Sequence, residues 1–326
     1  MSQPSVKVLY IAGSGRSGST LLDNILGQVD GFFSAGEIHY LWERGLIENR
    51  LCGCGRRFRD CPLWQSVLKR AFGGTDAVDA AEIVRLQTGG TRFRHVPLML
   101  LAQRRGVLPG STSRAYVNTL ARVYAAIRSV TGCSVIVDSS KLPSYGFVLG
   151  KTPGIDLYVA QLVRDPRATA YSWKRRKVQP DRGTFGYMHR KGLLKSAALW
   201  SAWNATSEAL WRRAGGRYIW LRYEDFIARP RETVRRIVEL TGEGASRLPF
   251  VAEHEVWLDT NHTVAGNPVR LKTGAVTLRA DSEWRSRMTP VDQAFITALT
   301  WPLLLRYGYP THAPRDGGWE GPAPAP

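Results

Sequence analysis

Acidic side chains are scarce in this chain: 27 Asp and Glu stand against 45 Lys and Arg in 326 residues, a formal net charge of +18 at pH 7. A field of that sign steers anions, so the partners expected are anionic. Dense basic blocks are nevertheless lacking apart from Lys174-Arg175-Arg176-Lys177, which argues against specific nucleic-acid binding and leaves peripheral contact with an anionic surface open. No uninterrupted apolar run reaches the length of a membrane span. The N-terminal apolar stretch is short and runs into a glycine-rich loop, so it reads as a strand and not a signal peptide, and a cytoplasmic location is expected. Internal repeats are absent. Cysteines are few: Cys52, Cys54 and Cys61 form a compact trio and Cys133 lies far along the chain. A cytosolic compartment disfavours a stable disulfide, and zinc lacks an obvious fourth ligand, though His39 could supply one.

What is present begins with Ile11-Ala12-Gly13-Ser14-Gly15-Arg16-Ser17-Gly18-Ser19-Thr20, between a strand-like segment and apolar residues at helical spacing. This is phosphate-loop architecture: glycines allow the tight turn, and the N–H groups of Ser17 to Thr20 can point with the helix dipole at one anion. The nucleoside-triphosphatase pattern fits everywhere except that Ser19 replaces the lysine. The nearest cation is instead Arg16, inside the loop.

A second segment, Asp156 to Val163, is strand-like and leads into Arg164-Asp165-Pro166, with Ser172 eight residues after Arg164. The arginine offers a planar fork of donors and the serine a hydroxyl, a pair suited to gripping a terminal phosphate. A third, Leu221-Arg222-Tyr223-Glu224-Asp225-Phe226, follows another strand, and a fourth runs from His262 through Gly266-Asn267-Pro268 to Arg270, with Asp281 and Trp284 beyond it.

These four segments together resemble the sulfotransferases that use 3′-phosphoadenosine-5′-phosphosulfate (PAPS), over about residues 6 to 290. The resemblance implies a P-loop-containing α/β fold with a central parallel sheet flanked by helices. It makes Arg16, Ser17, Gly18, Ser19 and Thr20 the 5′-phosphosulfate loop, Arg164 and Ser172 the 3′-phosphate grip, Tyr223 the adenine neighbour, and Arg270 part of a C-terminal clamp. His262 is expected to be a nucleotide-site or structural histidine.

Catalytic roles follow less directly. Strand 134–139 ends in Asp138-Ser139-Ser140-Lys141, and Lys141 takes the place where the cytosolic sulfotransferases carry a catalytic histidine. A protonated lysine suits stabilising charge better than accepting a proton. The base is then assigned to Glu37, which follows Arg16 by 21 residues as the catalytic glutamate follows the loop arginine in the tyrosylprotein sulfotransferases. His39 competes for that role on the strength of its near-neutral ordinary pKa. The reading is sulfuryl transfer from PAPS by in-line displacement to a small-molecule, glycan or lipid hydroxyl, with no metal required. The alternatives are a P-loop kinase, for which Val135-Ile136-Val137-Asp138 would be the magnesium strand, and a nucleotide- or polyanion-binding protein without turnover.

In outline, strands are expected at 6–12, 32–35, 134–139, 156–163 and 217–223. Helices are expected at 18–28, from near Glu37, and at 62–72, 79–88, 113–130, 166–177, 191–213, 230–241 and 289–306. Residues 89–112 read as irregular, 1–313 as one domain, and 314–326, rich in Pro, Gly and Ala, as a disordered tail.

Overall fold

The computed structural model describes residues 5–104, 108, 112–182, 186–244 and 247–311; the expected tail lies outside them. The first half runs β1 (Val6–Ala12), α1 (Ser19–Leu26), β2 (Phe32–Gly36), α2 (Pro62–Phe72), α3 (Ala80–Thr91), α4 (Val96–Arg104), α5 (Arg114–Thr131), β3 (Val135–Lys141), α6 (Pro143–Gly150) and β4 (Ile155–Val163). The second half adds α7 (Pro166–Lys174), α8 (Leu193–Trp211), β5 (Tyr218–Arg222), α9 (Tyr223–Ala228), α10 (Pro230–Leu240), β6 (Phe250–Ala252), β7 (Glu255–Leu258), β8 (Gly274–Thr277), α11 (Trp284–Arg287) and α12 (Pro290–Arg306).

The central sheet has the order β2-β3-β1-β4-β5 and every pairing in it is parallel. Helices cover both faces, so the middle strands are buried on both sides and read as nearly continuous apolar runs. In β1 the side chains alternate: Val6, Val8, Tyr10 and Ala12 join the core with α2, α5 and α6, and Leu9 and Ile11 join the core with α1, α9 and α10. Beyond α10, the strands β6, β7 and β8 form a separate antiparallel sheet.

Several local expectations are corrected. Residues 89–112 are not irregular throughout, because α4 forms over Val96–Arg104, where Met99 and Ala102 are buried in the core. The segment after Glu37 is a 3₁₀ turn followed by a π-helix over Leu41–Ile47. Pro143 opens α6, and Tyr223 begins α9 instead of ending β5. The antiparallel sheet was not anticipated; its strands have at most four residues, too few to show a period.

Candidate active site

The loop between β1 and α1 is shaped by what lies against it. A Cβ on Gly13 would stand 2.4 Å from the Leu162 carbonyl oxygen, and one on Gly18 would stand 2.5 Å from the Tyr223 ring. Gly18 is the N-cap of α1 at φ 92° and supplies no side-chain cap to the helix N-terminus. Three non-glycine residues among those described have positive φ, and two of them, Arg16 (72°) and Lys141 (70°), belong to this site.

Carboxyl ends of parallel strands gather the remaining groups around one cavity of about 300 Å³, whose wall includes Arg16, Gly18, Ser19, Thr20, Glu37, Lys141, Arg164, Ser172 and Tyr223. Its cations are under-used. The Arg16 guanidinium lies 4.6 Å from the Trp173 ring centroid and places Nη1 3.0 Å from Met188 Sδ, while its Nε and Nη2 are buried with no protein partner. Burial, against the attraction of Glu37, lowers its pKa to about 10, so it remains a cation at neutral pH. Arg164 donates to the Arg16 carbonyl at 3.2 Å, pairs with Asp281 Oδ2 at 3.1 Å and lies over the Tyr223 ring, yet its Nε has no partner. The buried Ser17 hydroxyl is also unpartnered. Each unsatisfied buried donor costs about 1–3 kcal/mol, so those on Arg16 and Arg164, both in the wall of one cavity, fit a polyanionic ligand that would complete them.

Sequence reasoning missed part of this wall. Trp173 packs against Arg16 and carries Lys191 Nζ 3.5 Å from its ring centroid. Burial, with Lys195 and Arg16 nearby, lowers Lys191 to about 8, and burial with Arg16 lowers Lys177 as well. The basic cluster at 174–177 was the available signal for Lys177. Nothing local distinguishes Lys191, which reaches the site from the segment before α8.

Opposite the cations stands an ion pair. Lys141 Nζ donates to Glu37 Oε1 at 2.6 Å and to the Ser139 carbonyl at 2.6 Å, and Arg44 Nη1 lies 3.7 Å from Glu37 Oε2. A register shift between β1 and β3 beyond Asp138 brings Lys141 opposite Ala12. Burial alone would raise the Glu37 carboxyl, but Lys141, Arg44 and Arg270 outweigh it and hold it below the ordinary value. His39 is placed differently. Its ring packs edge-on against Tyr40 and Tyr145, Gln87 Nε2 lies 2.7 Å from its Nδ1, and burial with the Arg44 charge lowers its pKa to about 3. His39 is not among the residues lining the cavity.

Asp138, the kinase-type aspartate of the sequence, is shut inside the protein at 0% exposure and accepts hydrogen bonds from Tyr124 Oη and from Ser140 Oγ and N. It does not line the cavity. Arg270 also departs from expectation. It is 1% exposed and spends its donors on the Thr263 carbonyl at 2.9 Å, the Leu51 carbonyl at 2.6 Å and Asp181 at 3.3 Å, behind the cavity wall. The rest of its segment does reach the site, where Asn267 N donates to Thr20 Oγ1 at 3.3 Å. His262 faces away, toward the three clustered cysteines.

Fold and loop together define a P-loop α/β protein. A family model described as the sulfotransferase family matches residues 9–245, and the chain belongs to that family. Among curated proteins, human carbohydrate sulfotransferase 3 is 28% identical over 178 residues, which is 49% of this chain and 35% of that protein, so the chain matches only about a third of that relative's length. Among solved structures, the sulfotransferase domain from the curacin biosynthetic pathway superposes with a TM-score of 0.54 at 15% identity, covering 95% of this chain and 99% of that one. The sulfotransferase domain from the Synechococcus PCC 7002 olefin synthase does so with a TM-score of 0.51 at 21% identity, covering 93% and 96%. The fold is thus the P-loop-containing sulfotransferase fold. No helix among the described residues is long and apolar enough to cross a membrane.

Proposed function

We propose that this protein is a transferase that takes a sulfuryl group from PAPS and passes it by in-line displacement to a hydroxyl acceptor. The observation that carries the reading is the set of unpartnered donors on Arg16 and Arg164, two residues that line the same cavity as the Glu37–Lys141 pair. Bound PAPS would supply a sulfuryl group on a phosphate leaving group. Residues Ser17 to Thr20 and the α1 N-terminus would hold the 5′-phosphosulfate, Arg164 and Ser172 the 3′-phosphate, and Tyr223 the adenine.

In this reading Glu37 accepts the acceptor's proton. Its pairing with Lys141 keeps the carboxylate ionised at neutral pH at the cost of basicity, and a hydroxyl that displaces the Lys141 contact at Oε1 would restore that basicity. Lys141 and Arg16 then face the charge that develops on the departing oxygen, where one preorganised donor is worth about 3 to 4 kcal/mol. Arg270 braces the wall behind the cavity. Human carbohydrate sulfotransferase 3 makes sugars the first acceptor class to try, with lipid and small-molecule alcohols next.

Thermal stabilisation tests the reading. Adenosine 3′,5′-bisphosphate without added metal is expected to raise the melting temperature more than magnesium-ATP does, because ligand binding to the native state stabilises it. A preference for magnesium-ATP would point to phosphoryl transfer, and tight, salt-resistant oligonucleotide binding would point to a non-catalytic role.

A further inference from the structure

The three cysteines that the sequence left without a fourth ligand meet one in the fold. Cys52, Cys54 and Cys61 converge with His262 so that their three sulfurs and one ring nitrogen all lie within 4.8 Å of one another. Cys61 Sγ is 3.2 Å from His262 Nδ1, Cys52 Sγ is 3.8 Å from the same nitrogen, and Cys54 Sγ is 3.8 Å from Cys61 Sγ. We propose that this cluster is a structural Cys₃His zinc site that staples the loop around residues 52–61 to the segment that forms the back wall of the cavity.

The distances suit a tetrahedral ion. Zn–S bonds of about 2.3 Å and a Zn–N bond of about 2.0 Å place ligand atoms roughly 3.5 to 3.8 Å apart at tetrahedral angles. A disulfide would need sulfurs about 2.05 Å apart, and all four cysteines of the chain are free thiols. Three soft thiolates with one imidazole favour zinc over magnesium or calcium. Four protein ligands leave no open position, which makes the role structural.

The surroundings are arranged as a ligand cage requires. Cys61 is the N-cap of α2, followed by Pro62, where the helix dipole favours a thiolate. The Trp64 indole N–H donates to the His262 carbonyl at 2.7 Å, Gly53 N to the Thr263 carbonyl at 3.0 Å, and Gly55 N to the Cys52 carbonyl at 2.9 Å. A Cβ on Gly53 would come 1.9 Å from Asn261 Oδ1, so the loop approaches the crossing segment through a glycine. The bridge spans 201 residues from Cys61 to His262. Two residues past His262, Val264 N donates to the Ala35 carbonyl at 3.0 Å, next to Gly36 and Glu37. A metal here would therefore hold the chain behind Glu37 without touching the reacting groups.

Metal analysis of the full-length protein, purified under reducing conditions and dialysed, decides the matter. Roughly one zinc per chain is expected, lost in Cys61→Ser and in His262→Ala and retained in Cys133→Ser. Should those variants fail to fold, the wild-type protein still answers: after chelator treatment its melting temperature should fall and recover with zinc but not magnesium. Added cobalt should give the thiolate charge-transfer and ligand-field bands of a tetrahedral site. Wild-type protein free of zinc that shows no such cobalt spectrum and melts unchanged with chelator would overturn the site. So would thiol titration of the non-reduced protein that finds two free thiols, the mark of a disulfide.

Discussion

Two pairs of arginines withdrawn from solvent behave oppositely, and one member of each, Arg164 and Arg167, sits three residues from the other in sequence. Arg167 gives Nε and Nη2 to Asp165 at 3.0 and 2.7 Å, adds the Pro310 carbonyl at 2.9 Å and lies over Trp284; Arg270 is similarly committed to Leu51, Thr263 and Asp181. Arg164 is also buried and Arg16 is half-buried, yet each keeps at least one buried donor without a protein partner. Buried cations with satisfied donors hold the fold together. Those left incomplete would be completed by the nucleotide proposed above, and their desolvation is a cost that the rest of the structure carries. Burial alone therefore does not tell a structural arginine from a binding one.

The largest effect should come from breaking the incomplete set. Arg16→Ala is expected to lower turnover about 100- to 1,000-fold, the scale for losing one preorganised donor, while the melting temperature holds or rises because unsatisfied donors are removed. A marked fall in stability would place Arg16 with the structural arginines. From the other side of the comparison, Arg270→Ala should cost about 3 kcal/mol in urea unfolding, because Asp181 is left buried without its charge partner. If Arg270→Ala instead weakened adenosine 3′,5′-bisphosphate binding at unchanged stability, Arg270 would be a ligand-binding residue after all.

Glu37→Gln should reduce turnover by about a hundredfold with nucleotide binding unchanged, measured with any accepted hydroxyl. Activity that survives in Glu37→Gln would return the role of base to His39 or to the acceptor. The smallest and most specific change is in pH dependence. The folded pKa of Glu37 is lowered, so the stabilisation from its ionised form is complete above the ordinary value of 4.5 and is lost as pH falls through the folded value. The acidic limb of kcat/KM, which reports the free enzyme, should accordingly lie below 4.5 in the wild type. Lys141→Met removes the largest attraction and leaves desolvation, so the limb should move upward in the pH–rate profile. An unmoved limb would mean that another group titrates.

The loop from Gly13 to Thr20, the strand end before Arg164, and α2 over Pro62–Phe72 were all legible in the sequence. Each is written in a window of a few residues, as a glycine where the backbone needs positive φ, an apolar run, or a proline at a helix start. The helices α4 and α6 were missed for the complementary reason: α6 is buried on all sides and has no polar face from which to read a period.

What only the tertiary structure decided is which side chains complete one another. Glu37 and Lys141 pair across 104 residues, and Cys61 and His262 meet across 201. Arg270, which the sequence placed with the ligand, turned inward to carbonyls and a carboxylate because its segment packs behind the cavity and not along it. Local sequence set the backbone geometry, because propensity and periodicity act over a few residues. Charge pairing and ligand convergence depend on distance in space, which only the packed sheet and its crossovers supply.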